Sequence, residues 1–426
     1  MPHITIIYPE WPKLPEQTEF HLPPHGPVCL AAEIPEHYEI SFFDGNVETV
    51  KPDSQTDLIL LSMMLSCQLP RGFEIAANYR DKGIKVIAGG IATMLHAEEV
   101  SEHVDSVFLG EVEDGRLKGV LDDWQKDKLR PVYNYFRDFP EIGKVNPARR
   151  DILNYEHYNY RGVPMVDLVH ASRGCRFNCF PCATAYLGGR IFRPRPMDKV
   201  AEELSGIDNN RIFLVDNSLA QDRNWVLELF SLLESLGKKW ISHPILDEDK
   251  VIAQAAKAGC WYVYQAIFDT SEVIRKRIKR LKDNGIGVEA AVLLGPDNQD
   301  ADYIKKIIDF LLELDVDMAE FSILTPFPHT PITAQFEKEG RILHRDWHRY
   351  TTSEVCFLPK YMTPDELQEM YHYSWKTFYQ EMGQSLHMAR LFHKVVKKEM
   401  ADNTWRNPVD LSRKRRKWHT ESNNGN

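Results

Sequence analysis

A chain of 426 residues has room for two or three domains and can bury a large core without disulfides. Lys and Arg number 52 against 62 Asp and Glu, a formal balance of −10, which disfavours broad nucleic-acid binding. The seven cysteines are too few, and odd in number, for a disulfide framework, and fit reduced thiols in a cytoplasmic protein. The start, Met1-Pro2-His3-Ile4, has neither the basic segment nor the long apolar stretch of a signal peptide. The early apolar run at 58–65 is far shorter than the ~20 residues of a membrane span. A cytoplasmic protein with no membrane span is expected.

Residues 1–125 alternate short apolar runs with helical patterns. Strands are expected at 4–8, 38–43, 58–62, 85–88 and 106–109, and helices at 73–81 and 115–124. That pace predicts a doubly wound parallel sheet, a Rossmann-like domain, with ligands at the carboxyl ends of its strands. Those ends carry Asp44-Gly45-Asn46, Ser62-Met63-Met64, Gly89-Gly90 and Gly110-Glu111. The glycines either admit a bulky ligand or only make tight turns. Residues 126–160, with Pro131, Pro140 and Pro147, read as a linker.

A second alternating region spans 161–350. Its strands are expected at 164–170, 211–215, 239–242, 261–267, 287–294 and 318–324. Its helices are expected at 198–204, 224–236, 248–258, 271–283 and 301–314. Six such units fall short of an eight-fold barrel of ~250 residues and fit a partial barrel or an open sheet. Residues 351–426 form a C-terminal segment, helical at 364–380 and 385–400, with a basic run at 413–417 that reads as a solvated tail. The spacing of Tyr371, Trp375 and Phe378 is that of a helix face, which favours core packing over a ligand pocket.

Three cysteines fall within eight residues: Cys175-Arg176-Phe177-Asn178-Cys179-Phe180-Pro181-Cys182. They directly follow the first strand of the second region. Soft thiolates this close can hold an iron–sulfur centre or zinc. Structural zinc needs a fourth ligand, and Cys260 and Cys356 are isolated in the sequence. A cubane held by three cysteines leaves one iron open to a small molecule.

CxxxCxxC after the first strand of a six-unit β/α region resembles the radical S-adenosylmethionine (SAM) superfamily. The resemblance runs from about 164 to 350. It implies that Cys175, Cys179 and Cys182 bind a [4Fe-4S] cluster whose open iron holds SAM, and that SAM is cleaved to a 5′-deoxyadenosyl radical. Asp216 and Asn217 resemble the end of the family's second strand, which faces SAM. Gly295 resembles its fifth-strand glycine, and Gln265 stands where the fourth strand contributes to SAM binding. The segment Arg190-Ile-Phe-Arg-Pro-Arg-Pro196 resembles members with a cobalamin-binding domain. Residues 1–125 resemble their Rossmann domain, which implies cobalamin contacts at Ser62, Gly89, Gly90 and Gly110. Three features depart from the pattern: Pro181 replaces the aromatic residue before the third cysteine, the fourth strand ends in Gln265-Ala-Ile-Phe268-Asp269 rather than a Gly-Ile-Glu-Ser-like segment, and Asp-x-His-x-x-Gly is missing.

The resemblance implies an enzyme that functionalises an unactivated carbon of a small-molecule substrate, bulky and apolar, such as a tetrapyrrole or isoprenoid. Cobalamin-assisted methyl transfer is the first reading. Cobalamin-independent oxidation, hydroxylation or cyclisation is the second, and a cobalamin or iron–sulfur sensor the third. His329, beside the expected chamber, is a candidate proton donor or acceptor. An electron donor such as flavodoxin or ferredoxin is the implied partner.

Overall fold

The computed structural model describes residues 1–12, 21–50, 55–160, 163–380 and 383–405; the basic run at 413–417 lies outside them. The N-terminal unit runs β1 (His3–Tyr8), α1 (His25–Ala32), β2 (Glu39–Asp44), β3 (Leu58–Ser62), α2 (Leu69–Arg80), β4 (Lys85–Gly89), α3 (Ile91–Leu95), α4 (Ala97–His103), β5 (Ser106–Leu109), α5 (Arg116–Gln125) and β6 (Val132–Asn134). All six strands are parallel, in the order β2-β1-β3-β4-β5-β6. Apolar side chains alternate between the two faces, and helices cover both. Ile7, Ile59, Leu61 and Val86 pack on one side, Ile4, Ile6, Leu58 and Leu60 on the other. The strand order reverses between β1 and β3, which opens a crevice at their carboxyl ends. The alternation in the sequence does not signal α1, α3, α4 or β6.

The chain continues through β7 (Asn159–Tyr160), β8 (Val163–Pro164), β9 (Asp167–Val169), β10 (Ser172–Arg173), α6 (Thr184–Gly188), β11 (Arg193–Pro194) and α7 (Met197–Ser205). Then come β12 (Arg211–Leu214), α8 (Arg223–Ser235), β13 (Lys239–Ser242), α9 (Asp249–Lys257), β14 (Cys260–Ile267), α10 (Glu272–Asp283), β15 (Gly287–Leu294), α11 (Ala301–Glu313), β16 (Met318–Ile323) and α12 (Pro331–Lys338). The last helices are α13 (Pro364–Tyr379) and α14 (Gly383–Ala401). β9, β12, β13, β14, β15 and β16 form a second parallel six-stranded sheet in that order, and β16 does not return to pair with β9. The result is a partial barrel rather than a closed one.

Helix α14 closes the amino-terminal end of this sheet. Glu399 takes both Arg211 Nε and Nη2, at 3.0 and 2.9 Å, where β12 begins. Lys398 Nζ donates to the carbonyls of Ala256 and Cys260 at the start of β14. Leu391 presses on Gly287 at the start of β15, and Lys394 pairs with Asp317 before β16. The α13 helix starts with a capping box between Thr363 and Glu366 and buries Leu367, Tyr371, Trp375 and Phe378.

A buried ion-pair group fixes the start of the barrel. Glu203 of α7 accepts from Arg195 and from Arg150 Nη2 at 2.7 Å, and Arg195 also donates to the His170 carbonyl at 2.9 Å. Both Arg195 and Glu203 are fully enclosed. Replacing Glu203 by Leu leaves two guanidinium groups buried without their carboxylate. The expected loss is about 3–5 kcal/mol, read as a lowered midpoint of urea unfolding.

Candidate active site

The three loop cysteines sit between β10 and α6. Gly174 precedes them at φ +76°, and a Cβ there would lie 2.0 Å from the Ile191 carbonyl oxygen, so only glycine lets the loop leave the sheet beside β11. Cys175 is buried, and Cys179 and Cys182 are exposed. Cys182 N–H donates to the Cys179 carbonyl at 2.9 Å and closes the turn. Two donors already face sulfur: Gln221 Nε2 lies 3.1 Å from Cys175 Sγ, and Thr184 N–H lies 3.4 Å from Cys182 Sγ. Burial, then the charges of Cys175 and Cys182, push the Cys179 thiol up, which marks the three sulfurs as one electrostatic group. Among the described residues, only His25, Cys29 and His170 bring three ligand atoms within 4.8 Å of one another.

A cavity of about 710 Å³ lies between the N-terminal sheet and the barrel. Its upper wall is the crevice of the N-terminal sheet: Tyr8, Ser62, Met63 and Gly90 at the strand ends, with Trp11 and His25. It continues into the barrel past Leu168, Val215 and Ile241 to Tyr262, Tyr264, Glu289 and Glu320. Tyr371, Trp375, Tyr379, Met388 and Leu391 close the remaining side. Two acidic loop residues of the N-terminal unit hold the halves together. Glu111 accepts from Arg173 Nη1 at 2.8 Å and from Arg193, and Glu113 accepts from Arg173 Nη2. These pairs leave Glu111 more acidic than usual, chiefly through Arg193, against the cost of burial.

No family model matches the chain. It is 24% identical over 369 residues to bacteriochlorophyllide d C-12(1)-methyltransferase of Chlorobaculum tepidum, covering 80% of this chain and 79% of that protein. It is 26% identical over 377 residues to the anaerobic magnesium-protoporphyrin IX monomethyl ester cyclase of Rubrivivax gelatinosus, covering 78% and 67%. Among solved structures it resembles TsrM of Kitasatospora setae, a radical SAM methyltransferase solved with cobalamin and a [4Fe-4S] cluster. The TM-score is 0.60 at 13% identity, over 90% of this chain and 83% of that one. The chain is thus similar in fold to a radical SAM methyltransferase that binds cobalamin and a [4Fe-4S] cluster.

The other expected site residues occupy varied positions. Ser62 and Gly90 line the cavity, whereas Gly89 and Gly110 are not among its lining residues. A Cβ on Gly90 would lie 2.3 Å from the Met63 carbonyl oxygen, and one on Gly110 would lie 2.6 Å from that of Tyr135. Both glycines therefore answer to neighbouring backbone, the tight-turn alternative, and the room for a corrinoid is the crevice as a whole. Gly295, at φ +95°, is likewise required by Leu367 and Phe357 packed against it. Asn217 is exposed, and its Nδ2 lies 3.4 Å from Thr184 Oγ1, beside the cysteine loop. Gln265 departs from the expectation. It lies on the outer face of β14, where its Oε1 accepts from Arg277 of α10, because strand alternation turns Tyr264 inward instead.

His329 is also displaced from the chamber. It is exposed at φ +63° and stacks on Tyr186 of α6 at 4.6 Å. With His96 and Trp347 it lines a separate cavity between α4 and the loop after β16. Sequence reasoning missed Gln221 and Thr184, whose donors face the thiols, and the seam triad of His25 Nε2 with His170 Nδ1 at 2.7 Å and Cys29 Sγ at 3.4 Å.

Asp216 is 1% exposed and accepts from Ala171 N–H at 3.1 Å and from Ser172 Oγ. It tethers the strand that leads into the cysteine loop rather than facing a ligand. Burial raises its pKa to about 6, against the hydrogen bonds that lower it. The folded state thus holds this proton more tightly than the unfolded one. Its contribution is present below about pH 4 and is lost as pH rises through about 6. In cluster-free protein, Asp216→Asn should keep the acceptor and remove that loss. The variant's unfolding free energy should gain on the wild type by about 3 kcal/mol between those limits, at ~1.4 kcal/mol per decade, measured by urea titration at each pH.

Proposed function

We propose that this enzyme transfers a methyl group to an unactivated carbon of a bulky, mostly apolar small molecule held in the cavity. The single observation behind this is the continuity of that cavity, from the N-terminal sheet crevice through to the barrel interior. Cys175, Cys179 and Cys182 would hold a [4Fe-4S] cluster, and Tyr8, Ser62, Met63 and Gly90 would flank a cobalamin. When bound, these groups supply the electron that splits SAM into a 5′-deoxyadenosyl radical and the carrier that passes on a methyl group from a second SAM. The chain's own residues do the rest. Gln221 and the Thr184 amide donate toward the cysteine sulfurs. Asp216 fixes the approach to their loop. Apolar walls from Met165, Ile241, Phe321, Trp375 and Met388 keep water from the reacting carbon. An electron donor of flavodoxin or ferredoxin type is the partner this chemistry needs.

Oxidation or cyclisation without methyl transfer is the second reading, favoured by the likeness to the cyclase of Rubrivivax gelatinosus. Anaerobic reconstitution with iron, sulfide, SAM and cobalamin separates the two. Methyl transfer predicts both S-adenosylhomocysteine and 5′-deoxyadenosine, whereas oxidation predicts 5′-deoxyadenosine alone. Single Cys→Ala variants at 175, 179 and 182 should lose the visible absorbance of the cluster and release 5′-deoxyadenosine only at background. Full iron content and SAM cleavage in all three variants would overturn the assignment.

A further inference from the structure

The deep end of the cavity carries charge chemistry that methyl transfer does not use. Glu289 is the third residue of β15 and Glu320 the third of β16. The strand register pairs Glu289 with Met318 and Ala291 with Glu320, so the two carboxyl groups are diagonal neighbours on the inward face. Tyr264 lies directly across from Glu289 on β14. The hydroxyl groups of Tyr262 and Tyr264 lie 3.5 Å from each other, and both residues line the cavity with Glu289. Glu320 is exposed, its surface opening into the cavity, and desolvation there pushes its pKa up. Burial and the Glu320 charge raise Glu289 to about 8.

The walls around this pair are aromatic: Trp261, Tyr262, Tyr264, Tyr371, Trp375 and Tyr379. No Lys or Arg is found among the described lining residues. A buried carboxylate such as that of Glu289 is costly without a cation, and a neutral side chain of similar size would fill its place more stably. Acidic groups ringed by π faces are the arrangement that recognises an organic cation.

Taking the cavity as the substrate chamber, we infer that Glu289 and Glu320 bind a protonated amine on the substrate. The bound molecule is apolar along most of its length and carries one basic nitrogen at its far end. From Glu289 to the carboxyl end of β15 is five residues, or about 16 Å at ~3.3 Å per residue. The ammonium group therefore anchors a part of the substrate remote from the reacting carbon, where binding energy fixes the position of the rest.

The test measures binding without turnover, so it stands or falls independently of the methyl-transfer reading. Three probes of matched shape are titrated into cluster-loaded protein by calorimetry: 4-phenylbutylamine, 4-phenylbutan-1-ol and 4-phenylbutanoic acid. The amine should bind about tenfold more tightly than the alcohol, and the acid more weakly than either. In Glu320→Gln, and separately in Glu289→Gln, the amine should fall to the affinity of the alcohol while alcohol binding stays unchanged. Near-ultraviolet circular dichroism establishes that each variant is folded, and either folded variant decides the matter. An alcohol or acid that binds wild-type protein as tightly as the amine would overturn the inference. So would a preference for the amine that survives both substitutions.

Discussion

Arg173 is the contact on which the architecture turns. It stands two residues before the first loop cysteine and reaches Glu111 and Glu113 across the seam. Arg193, from the strand paired with Arg173, meets Glu111 from the other side. The group is only partly open to solvent, so it is less screened than a surface pair, and the two-pronged geometry fixes orientation as well as distance. Its effect is to set the carboxyl ends of one parallel sheet against those of the other. Each sheet alone would offer an open crevice. Held face to face, they share one cavity.

The opposite end of the barrel needs a different solution. A closed eight-fold barrel fills its interior with layers of side chains, but six strands leave a gap between β9 and β16. Helix α13 packs beside β16 and α11, where a further β/α unit would otherwise lie, and α14 crosses the amino-terminal end of the sheet. Tyr379 OH accepts from Ala319 N–H at 3.1 Å and donates to the Ala319 carbonyl at 2.6 Å, capping β16 as a neighbouring strand would. The helix face at Tyr371, Trp375 and Phe378 thus has two duties. Phe378 and Trp375 pack on Phe321, while Tyr371 and Trp375 also front the cavity. The C-terminal segment is core and chamber wall at once.

Most of this fold is legible in the residues, for a physical reason. Strands buried on both faces, such as Leu58-Ile59-Leu60-Leu61, and amphipathic helices such as α11 carry strong local signals. Helix α1 does not: His25-Gly26-Pro27 opens it with poor helix formers, and burial of Val28 and Ala31 against the sheet supplies what propensity lacks. The cysteine loop is legible because its chemistry is local. The acids of the deep chamber are less so, although each is a lone charge inside an apolar strand, Gly-Val-Glu-Ala-Ala and Met-Ala-Glu-Phe-Ser. That pattern marks an inward charge only once the strand's facing is known. Gln265 shows the same limit in reverse: one residue of register separates the inner face of β14 from the outer.

The remaining thiols differ from those of the loop in their surroundings. Burial pushes Cys29, Cys67 and Cys356 up to about 12, and raises Cys260 further still. Raising a thiol this far disfavours thiolate, the ligand form. In the loop, burial pushes Cys179 up as well, but two of the three sulfurs are exposed, and an amide donor lies against Cys175 and another against Cys182. Placement completes the separation. No cysteine is found among the described residues lining the cavity, so a carbon radical formed there would meet no thiol hydrogen to abstract. The same burial that disfavours four cysteines as ligands therefore also keeps them away from the chemistry the other three would start.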